Sequence, residues 1–383
     1  MEALRLSGAR GEVVGFELPI TGKGRIKVQA ELPGLRVDLF TARDVEAGER
    51  LFPDPLEAAG ELEVSTGKTA TVYGDVYIPF ERTQKTFEGA VVLSDGRRIP
   101  IRVDEESFEL PRKASFLCEM NSYGYPTDPG DPEGPMGLFY RMQEVAYDHR
   151  VHLNFLPYGH TSTAPGNPTS NFDSAFNDIK PGDRTGHWDP FAKDFGPFLT
   201  GQCFKDGHRG PIPAPGFYLP FHESWPLKVR DYFNGNPDAY DAFKEHPEYT
   251  ETFVAVLKNF LERAKAEGWT ETGFQLYLNN KGSLEDRNKA PWILDEPASF
   301  WDFRALRFYG DWVKKASEGL EGNLRYRIDI SQPEFDRGQL RDTGDLWVVN
   351  WGVYRKYKRL LDERRRQGRR VEYWVYGQAP GVE

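Results

Sequence analysis

The chain has 383 residues, 39% of them hydrophobic and 14% aromatic, enough to bury one large core and a smaller one. A formal net charge of -10 and a pI near 5.4 argue against a nucleic-acid backbone or an anionic membrane as partner, since either would select a basic patch. No apolar run approaches the ~20 residues of a membrane-spanning helix, and the opening MEALRLSGARGE has no hydrophobic signal core.

The expected location is therefore the cytoplasm, or outside the cell if a leader has been trimmed from the N-terminus. Cys118 and Cys203 are too few for a disulfide framework and lack the paired spacing of a metal knuckle, which agrees with a reducing compartment.

Up to residue 111 the chain reads as an all-β domain. Short segments such as GRIKVQAEL, TATVYGDVYIPF and FEGAVVLSDGRRIPIRV alternate apolar with polar residues and are separated by Gly, Pro and Asp, the pattern of an antiparallel sandwich. Asp95-Gly96 within LSDGRRIPI is a hairpin signal.

From residue 112 to 383 the apolar runs lengthen and alternate with helical patterns. The expected strands are SFLCEMN, VHLNFLPY, GFYLPFHE, GFQLYLNN, LRYRIDIS, LWVVNW and VEYWVYGQ. Amphipathic stretches lie between several of them, including MGLFYRMQEVAYDHR, YTETFVAVLKNFLERAKAEG and FWDFRALRFYGDWVKKASEG. Strand and helix in alternation imply parallel strands with right-handed crossovers. The expected fold class is multidomain β plus α/β: an N-terminal β-sandwich over 1–111, then a TIM-like (β/α) barrel over 112–383. The basic run from Lys356 is broken by Asp362 and Glu363 and reads as a solvated helix face.

Polar and aromatic residues gather where the expected strands end, which is where a (β/α) barrel builds its active site. The substrate-binding candidates are Asn279, Asn280, Tyr158, His160, His222, Glu223, Trp225, Trp292, Trp301 and Asn350. A long polar segment from His160 to Gln202 is expected to be a loop of which part covers this mouth, the alternative being a solvated excursion on the far side.

Metal and phosphate chemistry find no footing. His222 in HESW has no second histidine one helical turn later, and Pro226 would break the helix needed to carry it. His149 and His152 straddle a helix-to-strand junction. No nucleophile elbow, phosphate loop or dinucleotide fingerprint follows a strand. No metal and no cofactor are expected.

The stretch APWILDEPASFWDF sets Asp295 beside Glu296, just before Pro297. In a regular strand, successive side chains point to opposite faces, so both acids reach one pocket only if the backbone leaves the ladder there. Two readings stand. In one, either acid caps a helix that begins at Pro297. In the other, the two acids do chemistry.

The passage VYGDVYIPFERTQKTFEGAVVLSDGRRIPIRVDEESFELP resembles the sandwich that precedes the catalytic barrel in glycoside hydrolase family 123 and its relatives. YLNNK followed by WILDEP, Tyr277 to Pro297, resembles the segment in which that family carries its Asp-Glu pair. The resemblance implies retaining, substrate-assisted hydrolysis of a β-linked 2-acetamido sugar, with N-acetylgalactosamine favoured and an oligosaccharide or glycoconjugate as partner.

In that mechanism the sugar's own acetamido oxygen attacks the anomeric carbon, so one carboxyl suffices as acid and base. Adjacent residues, with Cα atoms about 3.8 Å apart, suit this better than the spacing of about 5–9.5 Å between the acids of two-carboxylate enzymes. By the resemblance, Glu296 is the general acid, and Asp295 orients the acetamido group. If WILDEP lies in a loop after the fourth strand, seven strands are present and the barrel ends incomplete.

Two alternatives follow. One is a glycosidase of this fold acting on sugars without an acetamido group, pairing Glu296 with Glu223 or Asp329. The other is a barrel that binds carbohydrate without cleaving it.

Overall fold

The computed structural model describes residues 3–48, 50–81, 84–115, 117–124, 128, 130–156, 179–233, 242–281, 292–320, 323–366 and 372–376. The chain divides into two compact units, Met1–Phe116 with Asp206–Ile212, and Leu117–Lys205 with Pro213–Glu383.

The first unit is built of β1 (Leu4–Arg10), β2 (Val13–Thr21), β3 (Gly24–Glu31), β4 (Arg36–Ala47), β5 (Arg50–Ala58), β6 (Glu61–Val64), β7 (Thr69–Tyr77), β8 (Thr86–Leu93) and β9 (Arg98–Glu109). One sheet runs β1-β9-β8-β3-β6 and the other β2-β7-β4-β5. Both contribute to a single core that includes Phe16 and Val72 from one sheet and Ile26, Phe87 and Val103 from the other. Alternation with period two is what lets each strand give one face to that core.

The β8–β9 hairpin turns at the expected Asp95-Gly96. Gly96 adopts φ 92°, and the Arg97 amide donates to Asp95 Oδ1 at 3.1 Å. One pairing departs from the expected antiparallel order. β1 lies parallel to β9, with Leu4 opposite Ile101, a contact between strands too far apart in sequence for any turn signal to announce. The segment Asp206–Ile212 of this unit sets His208 against Tyr77, ring centroids 5.3 Å apart, and Arg209 donates to the Arg112 carbonyl at 2.9 Å.

The second unit carries parallel strands at each expected place: β10 (Glu119–Tyr123), β11 (His152–Leu156), β12 (Gly216–Tyr218), β13 (Gly273–Tyr277), β14 (Leu324–Asp329), β15 (Leu346–Asn350) and β16 (Glu372–Tyr376). β10 pairs with β11, and β12 to β16 form a five-stranded sheet in sequence order. Between β11 and β12 the Asn154 side chain bridges the gap, accepting the Tyr218 amide at 3.1 Å. WILDEP forms no strand and lies after β13, so the described strands of this unit number seven, ending with β16. Taken together, the architecture is multidomain β plus α/β.

The longer helices among the described residues are α1 (Gly134–Asp148), α2 (Trp188–Leu199), α3 (Pro247–Ala266), α4 (Phe300–Ser317) and α5 (Trp351–Arg366). Helix α2 corrects the expectation of one continuous loop from His160 to Gln202. Pro190 sits in its first turn, where an amide has no helical partner to lose, and Pro197 is near its end. Its buried stripe of Phe191, Phe195, Phe198 and Leu199 supplies the apolar spacing that holds it to the core. Trp188, at its start, packs against Phe260 at 4.9 Å and Trp225 at 6.3 Å. On α5 most side chains are exposed while Leu361 is buried, as a solvated face requires. Among the described residues no helix is long and apolar enough to cross a membrane.

Gly89 tests the packing of the first unit. A methyl there would run into the Glu31 carbonyl oxygen and come within 2.9 Å of Leu32 Cα, backbone atoms that move only by distorting the β3–β8 ladder. Gly89→Ala is expected to cost about 1–3 kcal/mol in urea unfolding, and an unchanged midpoint would contradict the register.

Candidate active site at the ends of β13 and β14

The chain leaves β13 through Leu278, Asn279 and Asn280, all buried. Asn280 organises the segment that returns after it. Its carbonyl accepts the amides of Leu294 at 2.9 Å and Asp295 at 3.2 Å, and its side-chain amide donates to the Trp292 carbonyl at 2.8 Å. The far side of the segment is fixed by Asp302, which accepts the amides of Ile293 at 3.0 Å and Ala298 at 3.2 Å and the Ser299 hydroxyl at 2.7 Å.

The helix-cap reading of the acid pair fails on this geometry. Helix α4 is capped by Ser299, whose hydroxyl oxygen accepts the Asp302 amide at 3.3 Å. Ser299 and Asp302 thus satisfy each other in a capping box, with Asp in place of the usual Glu. Asp295 and Glu296 are left for another role.

Their convergence has a backbone cause. Glu296 has φ 55°, the left-handed region, which costs a non-glycine residue on the order of 1–3 kcal/mol. This turn breaks strand alternation and brings two neighbouring acids to one place. It is held by the Glu296 amide donating to the Asp329 carbonyl at 3.1 Å and by the Ser331 hydroxyl donating to Glu296 Oε1 at 2.5 Å. Both carboxylates meet the Lys281 ammonium, Asp295 Oδ2 at 3.2 Å and Glu296 Oε2 at 2.9 Å.

Behind the pair lies a buried polar layer. Arg327 of β14 gives Nε and Nη2 to the two oxygens of Asp329 at 2.8 and 3.0 Å. Its Nη1 protons are shared among Glu119 Oε1 at 3.3 Å, Gln275 Oε1 at 3.1 Å and the Tyr218 hydroxyl. The guanidinium carbon lies 4.7 Å from the Tyr277 ring centroid. Strands β10, β12, β13 and β14 are thereby tied to one cation.

The ionisation of the site follows from burial. Asp295 is pushed up to about 6, first by desolvation and then by the Asp329 charge, against the pull of Lys281 and the Tyr277 hydroxyl. Glu119 is also raised by burial, with Arg327 opposing. Burial lowers the Lys281 ammonium, but its bond to Glu296 and the charge of Asp295 more than offset that, so the net shift is upward.

The remaining candidates are placed as follows. Tyr158 and His160 lie outside the described residues. His222, Glu223 and Trp225 are buried together after β12; His222 Nδ1 accepts the Ser224 amide at 3.1 Å, and the Glu223 carbonyl accepts the Tyr249 hydroxyl at 2.6 Å. Trp225 packs on Phe221 at 4.8 Å and Trp292 on Phe233 at 4.8 Å, so both serve the core. Trp301 is half-buried in the first turn of α4. Asn350 ends β15 and accepts the Gly352 amide at 2.8 Å, starting α5.

Lys281, Tyr277 and Arg327 were not distinguishable from ordinary strand or strand-end residues by spacing, whereas Asp329 stood among the alternative acids. The described tryptophan left most exposed at a strand end is Trp351, at 53%, and it stacks on Tyr354. No group of His, Cys, Asp and Glu suited to a metal ion occurs among the described residues.

The site therefore belongs to a β plus α/β protein with an acid pair at the carboxyl ends of parallel strands. No protein-family model matches the chain, and no curated protein matches it. Among solved structures the chain is similar to a family 123 glycoside hydrolase from Clostridium perfringens, studied for hydrolysis of glycolipid glycans. The TM-score is 0.56 at 11% identity, over 99% of this chain and 69% of that one. That likeness is one of fold. A xyloglucanase of family GH5 from Bacteroides ovatus (12% identity, 91% of this chain, 69% of that chain, TM-score 0.30) and a β-glucuronidase from Lactobacillus rhamnosus (8%, 98%, 75%, 0.30) are too distant to carry an argument.

The raised Asp295 carboxyl has a measurable consequence. Folded, it keeps its proton up to about pH 6; unfolded, it releases it near about pH 4. Within that window the folded state binds more protons, so its share of stability is lost as pH rises from about 4 to above 6. Asp295→Asn should flatten this slope in urea unfolding at a series of pH values, and identical slopes would contradict the burial described. Arg327→Met should cost about 3–5 kcal/mol by leaving Asp329 and Glu119 buried without their cation, with part recovered in Arg327→Met/Asp329→Asn. A loss below 1 kcal/mol in the single variant would show the layer to be hydrated.

Proposed function

We propose that the protein is a glycoside hydrolase that cleaves a β-linked 2-acetamido sugar by retaining, substrate-assisted chemistry. The observation that carries this reading is the convergence of Asp295 and Glu296 on one ammonium at the ends of β13 and β14. The reading places them at the C-terminal mouth of a barrel-like domain that follows an N-terminal β-sandwich. It is supported by the fold shared with the family 123 structure, which was studied for hydrolysis of glycolipid glycans, and N-acetylgalactosamine on an oligosaccharide or glycoconjugate is the favoured substrate.

In this chemistry the acetamido oxygen attacks the anomeric carbon while the bond to the leaving oxygen breaks. The electron pair goes to that oxygen, which takes a proton from Glu296. Asp295, buried and fixed by the Asn280 carbonyl, accepts from the acetamido N–H and balances the positive charge that develops on the ring formed. Water then attacks the anomeric carbon, Glu296 takes its proton, and the acetamido group is restored. The configuration is retained because the centre is inverted twice. No cofactor enters the sequence.

A second reading draws on Lys281. An ammonium 2.9 Å from Glu296 favours the carboxylate over the acid, which suits a protein that binds glycans without turning them over.

Hydrolysis of aryl 2-acetamido-2-deoxy-β-galactosides, set against aryl β-galactosides, separates these readings. With substrate-assisted turnover the acetamido sugar alone is cleaved. Glu296→Gln then loses about 10²–10⁴-fold on a poor leaving group and less on an activated one, while Asp295→Asn slows both. Equal cleavage of the two sugar types would end the substrate-assisted mechanism, and binding without cleavage would favour the second reading.

A further inference from the structure

One cation touches both acids, and the two acids are unequally free to leave it. Asp295 is almost wholly enclosed, with 4% side-chain exposure, and its amide is bonded to the Asn280 carbonyl at 3.2 Å. Glu296 and Lys281 are more open, at 32% and 40%. A carboxylate accepting from an ammonium at 2.9 Å is held ionised. In that contact Glu296 has no proton to give to a leaving oxygen.

We infer that Lys281 is a positioning residue that divides the labour of the acid pair: at rest its ammonium spans both carboxylates, and when a sugar enters it stays on Asp295 and releases Glu296. The inference rests on the hydrolytic reading of the site. The groups facing the pair support the division. From the end of β13 comes Tyr277, from the segment after it Lys281, from β14 Asp329 with Arg327 bonded behind it, and from the turn after β14 the Ser331 hydroxyl. Once Lys281 leaves it, Glu296 loses the ammonium that held it as the anion at 2.9 Å, and loss of that contact favours a proton on it.

Glu296 takes that proton from solvent on release, gives it to the leaving oxygen, recovers one from the attacking water and returns it to solvent when Lys281 closes on it again, so the cycle balances. Lys281, kept on Asp295, holds the second acid as the anion that the developing positive charge needs. Ser331 stays on Glu296 Oε1 and so keeps the freed carboxyl from swinging away.

The test uses the full chain with 13C-labelled carboxyl groups, in wild type, Lys281→Met, Lys281→Gln and Lys281→Arg. The Glu296 resonance is assigned by its loss in Glu296→Gln. Without substrate, the Glu296 titration should move up by about 1–3 pH units in either neutral variant and return toward wild type in Lys281→Arg. The high-pH limb of kcat/KM on a poor leaving group should move the same way. An unchanged titration in a folded neutral variant overturns the inference, as does a shifted titration with an unmoved high-pH limb. A shifted titration with no turnover of any glycoside would keep the hold of Lys281 on Glu296 and sink the hydrolytic reading instead.

Discussion

A carboxylate removed from water must keep either a cation or a proton, and the second unit is organised around that demand. Glu119, Asp295 and Asp329 lie almost wholly out of solvent and Glu296 partly so, and two cations serve them in different ways. Arg327 is buried and grips Asp329 with two parallel bonds, a fixed geometry that the planar guanidinium favours. Lys281 is partly exposed and meets Asp295 and Glu296 as a point charge on a flexible stem. One cation fixes the frame, and the other can move. Asp329 joins them, because its charge raises Asp295 and its carbonyl holds the Glu296 amide.

The frame is costly, and the chain offsets the cost locally. The left-handed turn at Glu296 is unfavourable for any residue with a side chain. The Asp329 carbonyl, the Asn280 carbonyl and the Asp302 carboxylate each accept amides of this segment, which leaves these donors paired in the strained turn. Asp302 illustrates the economy: one buried acid caps α4 reciprocally with Ser299 and pins the loop that carries the pair. Asp295, by contrast, makes the protein less stable at neutral pH than an uncharged residue of its shape would, a pattern common where a site is built for chemistry.

Much of this was legible in the sequence. The seven parallel strands and four of the helices follow from apolar spacing, because each is a local period that the core reads directly. Helix α2 was hidden by Pro190, tolerable in the first turn, and by Pro197, whose lost amide bond is offset by the buried aromatic stripe. The parallel pairing of β1 with β9 was hidden because it joins distant strands without a turn. At the site, the acid pair stood out only through resemblance. Cap and catalytic readings could not be separated, since Ser299 and Asp295 are both good capping residues and only three dimensions show which one is used. Lys281 and Arg327 read as ordinary charges in NNK and RYRID; their importance comes from what β10, β12 and the acid segment bring to them. Trp225 and Trp292 show the converse, aromatic residues at strand ends whose rings are spent on the core.

Under the proposed mechanism the acid pair stabilises a cyclised acetamido sugar. The most direct measurement is the affinity of the thiazoline analogue of N-acetylgalactosamine, a stable mimic of that ring, for the wild-type protein and for Asp295→Asn. Binding at least about 10²-fold tighter than the parent sugar, lost in Asp295→Asn, is the predicted result. A thiazoline that binds no better than the parent sugar would contradict it.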